Sequence, residues 1–172
     1  MDFYIQKAKN GDPDTFTALM QNHMQSMYKV ARSILKSDED AADAIQETIL
    51  ICWEKIGQLR ENRYFKTWLI RILINNCKDL LKDRQRYVSD EKLGEPSAYD
   101  ESFDNVEWKE ALQSLDEKYR LVVMLYYVEG FKTSEISQIL GISESTVRTR
   151  LARARERMAA VYGIEERRAC HE

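Results

Sequence analysis

Apolar residues recur at intervals of three and four along most of this chain, which places them on one face of a helix. The first such stripe contains Phe16, Leu19, Met20, Met24, Met27, Val30, Ala31 and Ile34. Only six Gly and two Pro interrupt the chain, so few turns are available for a sheet. The run Leu121–Val128 also suits a buried strand, but its helical neighbours favour helix. We therefore expect an all-α protein.

Two further stripes follow in the first half of the chain. Ser37 or Asp38 is a suitable N-cap for a second helix that ends near Gly57. Its apolar positions are Ala41, Ala44, Ile45, Thr48, Ile49, Cys52 and Ile56. A third helix begins near Phe65, and its apolar positions are Phe65, Trp68, Leu69, Ile72, Leu73 and Leu80. Its other side carries a polar, mostly basic stripe on one exposed face, formed by Arg71, Asn75, Lys78 and Lys82.

The periodicity is lost between Val88 and Asp104, a stretch with Gly94, Pro96 and six acidic residues against Lys92. Such a composition disfavours a packed core. We therefore predict two small helical domains, 1–87 and 105–172, joined by a flexible acidic linker, 88–104. In the second domain, Asp116 is placed to cap a helix.

The segment Lys132–Met158 has the pattern of a helix-turn-helix. Gly141 permits the turn, Ser143 is placed to cap the second helix, and Val147 and Leu151 face its core. The outward positions are Glu144, Ser145, Arg148, Thr149, Ala152 and Arg153. A helix with arginine and hydroxyl groups on this face suits the major groove of DNA. A solvated charged face is the alternative, but here the turn, cap and core positions are in register with the arginines.

The net charge of −3 conceals a segregated charge distribution. Residues 60–86 hold eight Lys/Arg against three Asp/Glu, and residues 148–157 hold five Arg against one Glu. Residues 38–47 hold five carboxylates and no base. The basic segments suggest DNA as a partner, and the acidic one suggests a basic protein surface.

Several functional classes are excluded. Residues 1–20 lack the apolar core of a secretory signal, and the longest apolar run is far shorter than a membrane span. Cys52, Cys77 and Cys170 are widely spaced, which indicates a reducing, cytoplasmic compartment and no metal site. His23 fits a packed histidine, and His171 lies in a polar tail. Neither a phosphate-binding loop nor a catalytic grouping occurs, so we expect no cofactor and no enzyme.

The chain resembles the extracytoplasmic-function RNA polymerase sigma factors. Ala8–Phe16 resembles their N-terminal opening, Asp40–Ile56 their polymerase-clamp segment and Phe65–Arg86 their −10 element segment. Leu115–Arg120 with the helix-turn-helix resembles their −35 domain. Many members have Pro where this chain has Asp116, a change that a helix cap tolerates.

The resemblance implies specific roles. Residues Asp43, Gln46 and Glu47 match contacts to the clamp of the largest polymerase subunit. The −10 element would be bound by a base-capturing loop and the basic stripe, which comprise Arg60, Asn62, Arg63, Tyr64, Arg71, Asn75, Lys78 and Lys82. Extruding a base costs a few kcal/mol, which stacking and hydrogen bonds repay. The resemblance also implies contact with the polymerase flap, a linker directed toward the RNA exit path, and an anti-sigma factor that is often membrane-anchored.

The aromatic residues Phe65, Trp68, Trp53 and Trp108 lie at helical spacing, so we expect them in the core rather than as stacking platforms for bases. The alternative function is a helix-turn-helix regulator that binds operator DNA as a dimer without core polymerase. The two hypotheses differ in whether the protein requires core polymerase to act at its DNA site.

Overall fold

A computed structural model describes residues 2–87 and 106–162. The chain divides into two compact units, Met1–Ala98 and Tyr99–Glu172, which are considered separately below. Within the described ranges every regular element is helical and there is no strand, so the predicted all-α class is confirmed. The predicted linker 88–104, Cys170 and His171 lie outside the described residues.

The described part of the first unit, residues 2–87, contains four α-helices and two short 3₁₀ turns. The helices are α1 (Asp2–Lys9), α2 (Pro13–Ile34), α3 (Asp38–Lys55) and α4 (Phe65–Tyr87). The turns, Ile56–Gln58 and Asn62–Tyr64, connect α3 to α4. Helices α2, α3 and α4 pack against one another, while α1 packs on α2 and on both turns.

The core of the first unit lies where α2, α3 and α4 meet. Met27, Leu69 and Leu73 are buried there, as the helical spacing predicted. Thr48 also lies in this core, where its hydroxyl accepts a hydrogen bond from the Asn76 amide at 2.9 Å. Burial raises the pKa of the Cys52 thiol to about 12, so this cysteine acts as a small apolar residue.

The turn between α2 and α3 contains a buried charged network. Ser37 is the N-cap of α3, and its side chain accepts from the Asp40 N–H. Arg32 is only 1% exposed; its Nη1 donates to the Leu35 carbonyl at 2.9 Å, and its Nε lies 2.8 Å from Asp38 Oδ1. The Tyr28 hydroxyl donates to the same Asp38 oxygen. Desolvation, followed by this bond to Asp38, raises the pKa of Tyr28.

A second ion pair joins the start of α3 to the end of α4. Asp40 is buried and pairs with the exposed guanidinium of Arg84. Burial is the main cause of the raised pKa of Asp40, and the charge of Arg84 opposes it. The pair therefore links two helix ends that are 44 residues apart in sequence.

Between residues 106 and 162, the second unit contains four α-helices and one π-helical turn. They are α5 (Val106–Ser114), α6 (Glu117–Val123), the π turn (Met124–Val128), α7 (Thr133–Leu140) and α8 (Glu144–Tyr162). The run Leu121–Val128 is therefore helical, as expected, although its π-helical end was not predicted. The core of this unit lies where α8 packs on the preceding helices. Its buried residues include Leu115, Val123 and Ile136, with Val147 on α8 itself.

Four details differ from the sequence predictions. Met24 and Trp53 were predicted in the core, but each is 40% exposed. Both positions lie toward the solvent side of their helices, α2 and α3. The Trp53 ring meets the Phe16 ring in an edge-to-face contact. Helix α3 ends at Lys55, before Gly57, because the chain tightens into a 3₁₀ turn. Asp116 occupies the N-cap position of α6 without a capping bond from its side chain, which instead binds Arg157.

None of the helices within residues 2–87 and 106–162 is long and apolar enough to cross a membrane. Within the same ranges, there is no group of three or more His, Cys, Asp or Glu side chains that could hold a metal ion.

Candidate nucleic-acid interface

The predicted helix-turn-helix is present in α7 and α8. Gly141 ends α7 with a φ of 65°, in the left-handed region that glycine adopts without strain. The Ser137 hydroxyl donates to the Ile142 carbonyl at 2.6 Å and so closes the turn. Ser143 Oγ accepts from the Thr146 N–H, which is the capping bond that the sequence predicted. The motif is thus built by contacts that are close in sequence.

Helix α8 has one buried and one exposed face. Val147, Leu151 and Ala154 are buried. Four predicted DNA-contacting residues, Ser145, Arg148, Thr149 and Arg153, are exposed on other sides of the helix, while Glu144 and Ala152 are half-buried. The exposed positions occupy two turns of the helix, which matches the reach of a recognition helix along a few base pairs.

Glu144 is held by partners within the motif. Its Oε1 accepts from the Thr133 hydroxyl at the start of α7 and from Arg148 Nη2, both at 2.6 Å. The bond from Thr133, followed by that from Arg148, lowers the pKa of Glu144. Glu144 therefore connects the two helices and orients the guanidinium of Arg148.

Two arginines of α8 contact the side chain of Tyr119 on α6. Arg157 lies 4.5 Å from the ring centroid and donates to Asp116 at 2.7 Å. A hydrogen bond from Arg153 is the main cause of the lowered pKa of Tyr119. Arg153 thus lies at the α6 side of the recognition face, in a position suited to backbone phosphate.

The predicted base-capturing loop lies between α3 and α4. Arg60, Arg63 and Tyr64 are exposed, and Asn62 is half-buried. The Arg63 guanidinium lies 4.8 Å from the Tyr64 ring centroid and pairs with Glu61 at 2.6 Å. The loop thus offers an aromatic ring and two cations to solvent, the combination that binds unpaired bases in other proteins.

The basic stripe of α4 is present as predicted in its main features. Arg71, Asn75 and Lys82 are exposed, and Lys78 is half-buried. Lys82 Nζ lies 3.4 Å from Asp79, an exposed pair that contributes little to stability. The stripe begins two turns after the loop, on the same helix that the loop precedes.

The acidic positions of α3 also share an exposed face. Asp43, Gln46 and Glu47 are all exposed, at the spacing that places them side by side on a helix. The same face continues with Leu50, which is 60% exposed, and with Trp53. This apolar extension was not predicted from the sequence, which placed Trp53 in the core and did not single out Leu50.

The structure brings each predicted group together within its own unit. The loop lies immediately before α4 and the stripe lies on α4, while the outward residues of the motif lie on α8. Lys9, whose ammonium group contacts the loop, was not among the predicted residues. No sequence signal joins positions 50 residues apart, so this contact required the structure.

Comparison with known families matches the two units to two parts of one class of protein. Residues 19–87 match the model described as Sigma-70 region 2. Residues 106–158 match the model described as Sigma-70, region 4. The fold and the sites therefore define a sigma-70 type of transcription factor.

Individual relatives show which group of sigma factors the chain is similar to. ECF RNA polymerase sigma factor SigM of Bacillus subtilis is 30% identical over 156 residues, covering 86% of this chain and 95% of the relative. RNA polymerase sigma factor SigV of Bacillus subtilis is 29% identical and covers 86% of this chain and 91% of that protein. ECF sigma factor SigM of Mycobacterium tuberculosis is also 29% identical, covering 89% and 80%.

Two solved structures share the fold. CnrH in complex with the cytosolic domain of CnrY has a TM-score of 0.69 at 23% identity, covering 94% of this chain and 96% of that one. RpoE in complex with the anti-sigma factor NepR from Bartonella quintana has a TM-score of 0.72 at 24% identity, covering 87% and 98%.

The chain belongs to the extracytoplasmic-function RNA polymerase sigma factors. It is a transcription initiation factor that binds core RNA polymerase, directs it to specific promoters and assists their melting. The comparisons give no support to the alternative of a regulator acting without polymerase.

Proposed function

We propose that the two units divide promoter recognition between them. The first unit binds the polymerase clamp and the melted −10 element, and the second binds the −35 element as a duplex and the polymerase flap. The observation that carries the proposal is that each unit exposes a group of side chains suited to its own target. These groups lie on rigid helices or between them.

For the −35 element, α8 enters the major groove. Arg148 supplies a bidentate donor for guanine, and Ser145, Thr149 and Ala152 lie close to other base edges. Glu144 acts through Arg148, since its carboxylate already accepts from that guanidinium and from Thr133. Arg153 binds phosphate and so positions the helix.

For the −10 element, the loop and the start of α4 act together. Tyr64 stacks on an extruded base, and Arg60 and Arg63 neutralise the adjacent phosphates. Asn75 contacts the base edge from α4, while Arg71, Lys78 and Lys82 follow the backbone of the strand. Recognition is thereby coupled to strand opening, because the loop binds only an unpaired base.

For polymerase, the exposed face of α3 is the docking surface. Asp43, Gln46 and Glu47 supply the charge, and Leu50 and Trp53 supply apolar area beside it. An acidic helix with an exposed apolar end suits a basic protein surface that has an apolar centre.

The proposal is tested by transcription with purified bacterial core polymerase. A promoter is first obtained by selection from a randomised DNA library with the wild-type holoenzyme. Arg148→Ala should lose about 1 to 3 kcal/mol of discrimination at one −35 base pair, and Asn75→Ala should impair opening but not −35 binding. Arg150→Ala is the matched control for charge, because residue 150 lies across the helix from residue 148. The exposed Gln25 on α2 provides the amide control, Gln25→Ala.

The outcomes separate the roles. A uniform loss on all sequences would make Arg148 a phosphate contact. Binding of the selected DNA by the protein alone, with no dependence on polymerase, would contradict the division of labour. Glu47→Lys should abolish transcription by preventing assembly with core polymerase, which is measured by co-migration in gel filtration.

The factor is further proposed to act in the cytoplasm, without catalysis of its own, and to be held inactive by an anti-sigma factor. In support, RpoE from Bartonella quintana is solved in complex with the anti-sigma factor NepR, and CnrH in complex with the cytosolic domain of CnrY. An anti-sigma factor that covers the α3 face would compete with core polymerase, and Glu47→Lys would weaken both interactions.

A further inference from the structure

A lysine of the N-terminal helix α1 bonds to the loop between α3 and α4 at two points. Lys9 Nζ donates to the Leu59 carbonyl at 2.7 Å and to Asn62 Oδ1 at 3.3 Å. Both bonds are partly buried, so they are less weakened by solvent than a surface pair. A side chain 50 residues away in sequence therefore contacts both ends of the segment Leu59–Asn62.

The local fold of α1 places this lysine. Ile5 and Ala8 are buried, which holds α1 against its neighbours. Gly11, with a φ of 87°, lets the chain reverse from α1 into α2. Lys9 lies in the last turn of α1, where a lysine ordinarily stabilises the carbonyl groups of its own helix. Here its ammonium reaches a carbonyl of another segment instead.

The bonds from Lys9 bridge two separate turns. The first turn is closed by Leu59 N–H to the Ile56 carbonyl, and the second by Tyr64 N–H to the Glu61 carbonyl. Leu59 belongs to the end of the first turn, and Asn62 begins the second. Lys9 thus sets the relative position of the two turns, and with it the placement of Arg60 between them.

Both polar atoms of the Asn62 side-chain amide form hydrogen bonds. Its oxygen accepts from Lys9, and its nitrogen donates to the Asp2 carbonyl of α1 at 3.4 Å. The oxygen and nitrogen of this amide are therefore bonded to α1, rather than open to hydrogen bonds with the edge of a base. Asn62 therefore organises the loop, while Arg60 and Tyr64 remain directed to solvent.

We propose that Lys9 and Asn62 are positioning residues, which hold the loop Leu59–Tyr64 in the shape that captures an unpaired promoter base. The inference rests on the proposed role of this loop in −10 recognition. A loop fixed before binding loses less conformational entropy when it closes around a base. Removing the bridge should therefore weaken selective strand binding more than the overall fold of the unit.

The test uses the intact holoenzyme and a fluorescein-labelled single strand. The probe is the non-template strand of the selected promoter across its −10 element, and a second probe carries a substituted base at the extruded position. Fluorescence anisotropy gives the affinity for each probe, and the ratio of the two affinities measures selectivity. This ratio does not depend on the fraction of protein that is folded, so a loss of stability alone leaves it unchanged.

Lys9→Met removes the ammonium and keeps the aliphatic stem. We expect about a tenfold weaker affinity for the matching strand and a similar fall in the selectivity ratio. Lys9→Arg retains donors for Leu59 and Asn62 and should restore most of both. Lys7→Met is the matched control, since Lys7 lies on the same helix and contacts the Phe3 ring. It should leave the ratio as in the wild type.

The outcomes distinguish this inference from the proposed function. If Tyr64→Ala loses strand binding but Lys9→Met retains the wild-type ratio, the positioning role is wrong and the function of the loop stands. If Tyr64→Ala and Arg60→Ala both leave strand binding unchanged, the loop does not capture a base and both proposals are overturned. Should Lys9→Met fail to fold, Asn62→Ala removes one end of the bridge in the loop itself, and a wild-type ratio in that variant would overturn the positioning role.

Discussion

The recognition helix of the second unit and the base-capturing loop of the first are held by different kinds of contact. Within the helix-turn-helix, the bonds join near neighbours: Ser143 with Thr146, and Glu144 with Thr133 and Arg148. Toward its end, α8 is also joined to α6 by Arg157, which donates to Asp116. Around the loop, the bonds from Lys9 span 50 and 53 residues. One site is thus largely a property of a short segment, and the other depends on the fold of the whole unit.

This difference has a consequence for the effect of mutations. A local motif tolerates distant changes as long as its helices still pack, because its turn and caps are formed within it. A loop fixed by distant residues is affected by any change that shifts α1 relative to α3 and α4. The first unit should therefore transmit remote substitutions to its DNA-binding loop more readily than the second.

The largest stability effect is expected at Arg32. Arg32→Met leaves the buried Leu35 carbonyl without the bond it receives at 2.9 Å and breaks the pair with Asp38. We expect a loss of about 2 to 3 kcal/mol in the free energy of unfolding of the first unit. Urea unfolding followed by hydrogen exchange, measured separately on peptides from each unit, tests this and should show the second unit unchanged.

Lys36→Met is the matched control for that experiment. Lys36 is an exposed cation four residues from Arg32, and its loss should change the free energy of unfolding by less than about 0.5 kcal/mol. Equal effects of the two substitutions would show that the network between α2 and α3 adds no stability to the unit.

The same contrast explains which features were predictable from the sequence. Helical spacing located α2, α3, α4 and the helix-turn-helix, because the buried positions repeat with the period of the helix. Ser143 and Gly141 were identified because capping and left-handed turns have strong residue preferences. Trp53 was misplaced, since composition and spacing do not show which apolar position lies at the edge of a packed face.

Long-range pairs were not predictable. Nothing near Lys9 indicates that its ammonium would reach Leu59, and nothing near Asp40 indicates Arg84 as its partner. These contacts depend on how helices pack in three dimensions. In the helix-turn-helix, the turn at Gly141 and the cap at Ser143 were therefore predicted, whereas the supporting contact of Lys9 in the first unit was not.

A substitution at Gly141 tests how much the left-handed turn contributes to the stability of the second unit. An alanine there must adopt a φ near 65°, which costs an L-residue roughly 1 to 2 kcal/mol. Gly57→Ala is the matched control, because Gly57 has no positive φ and nothing lies within 4 Å of an added Cβ. Thermal unfolding should show a loss for Gly141→Ala only. An equal loss at Gly57 would mean that the left-handed turn is not the cause.

A smaller effect is expected at the N-cap of α8. Ser143→Ala removes the acceptor of the Thr146 N–H, whose bond measures 3.2 Å, and should cost about 1 kcal/mol. Ser134→Ala is the control, because it removes an exposed hydroxyl of α7 that lies outside this cap. If the two variants unfold at the same urea concentration, the cap contributes nothing measurable, and the local character of this motif rests on its packing.

The smallest expected effect is the pH dependence of Glu144. Hydrogen bonds from Thr133 and then Arg148 lower the pKa of this carboxyl below its ordinary value of 4.5. Because the folded state favours the charged form, the stabilisation is fully present above the ordinary value and is lost as the pH falls through the lowered pKa. NMR titration of the Glu144 side-chain carbon in Thr133→Val should show its pKa rise toward the ordinary value. Thr149→Val removes a hydroxyl that donates to the Ser145 carbonyl instead, so it should leave the Glu144 titration unchanged. If the pKa of Glu144 is unchanged in Thr133→Val, the bond from Thr133 does not hold this carboxylate. The orientation of Arg148 would then depend on α8 alone.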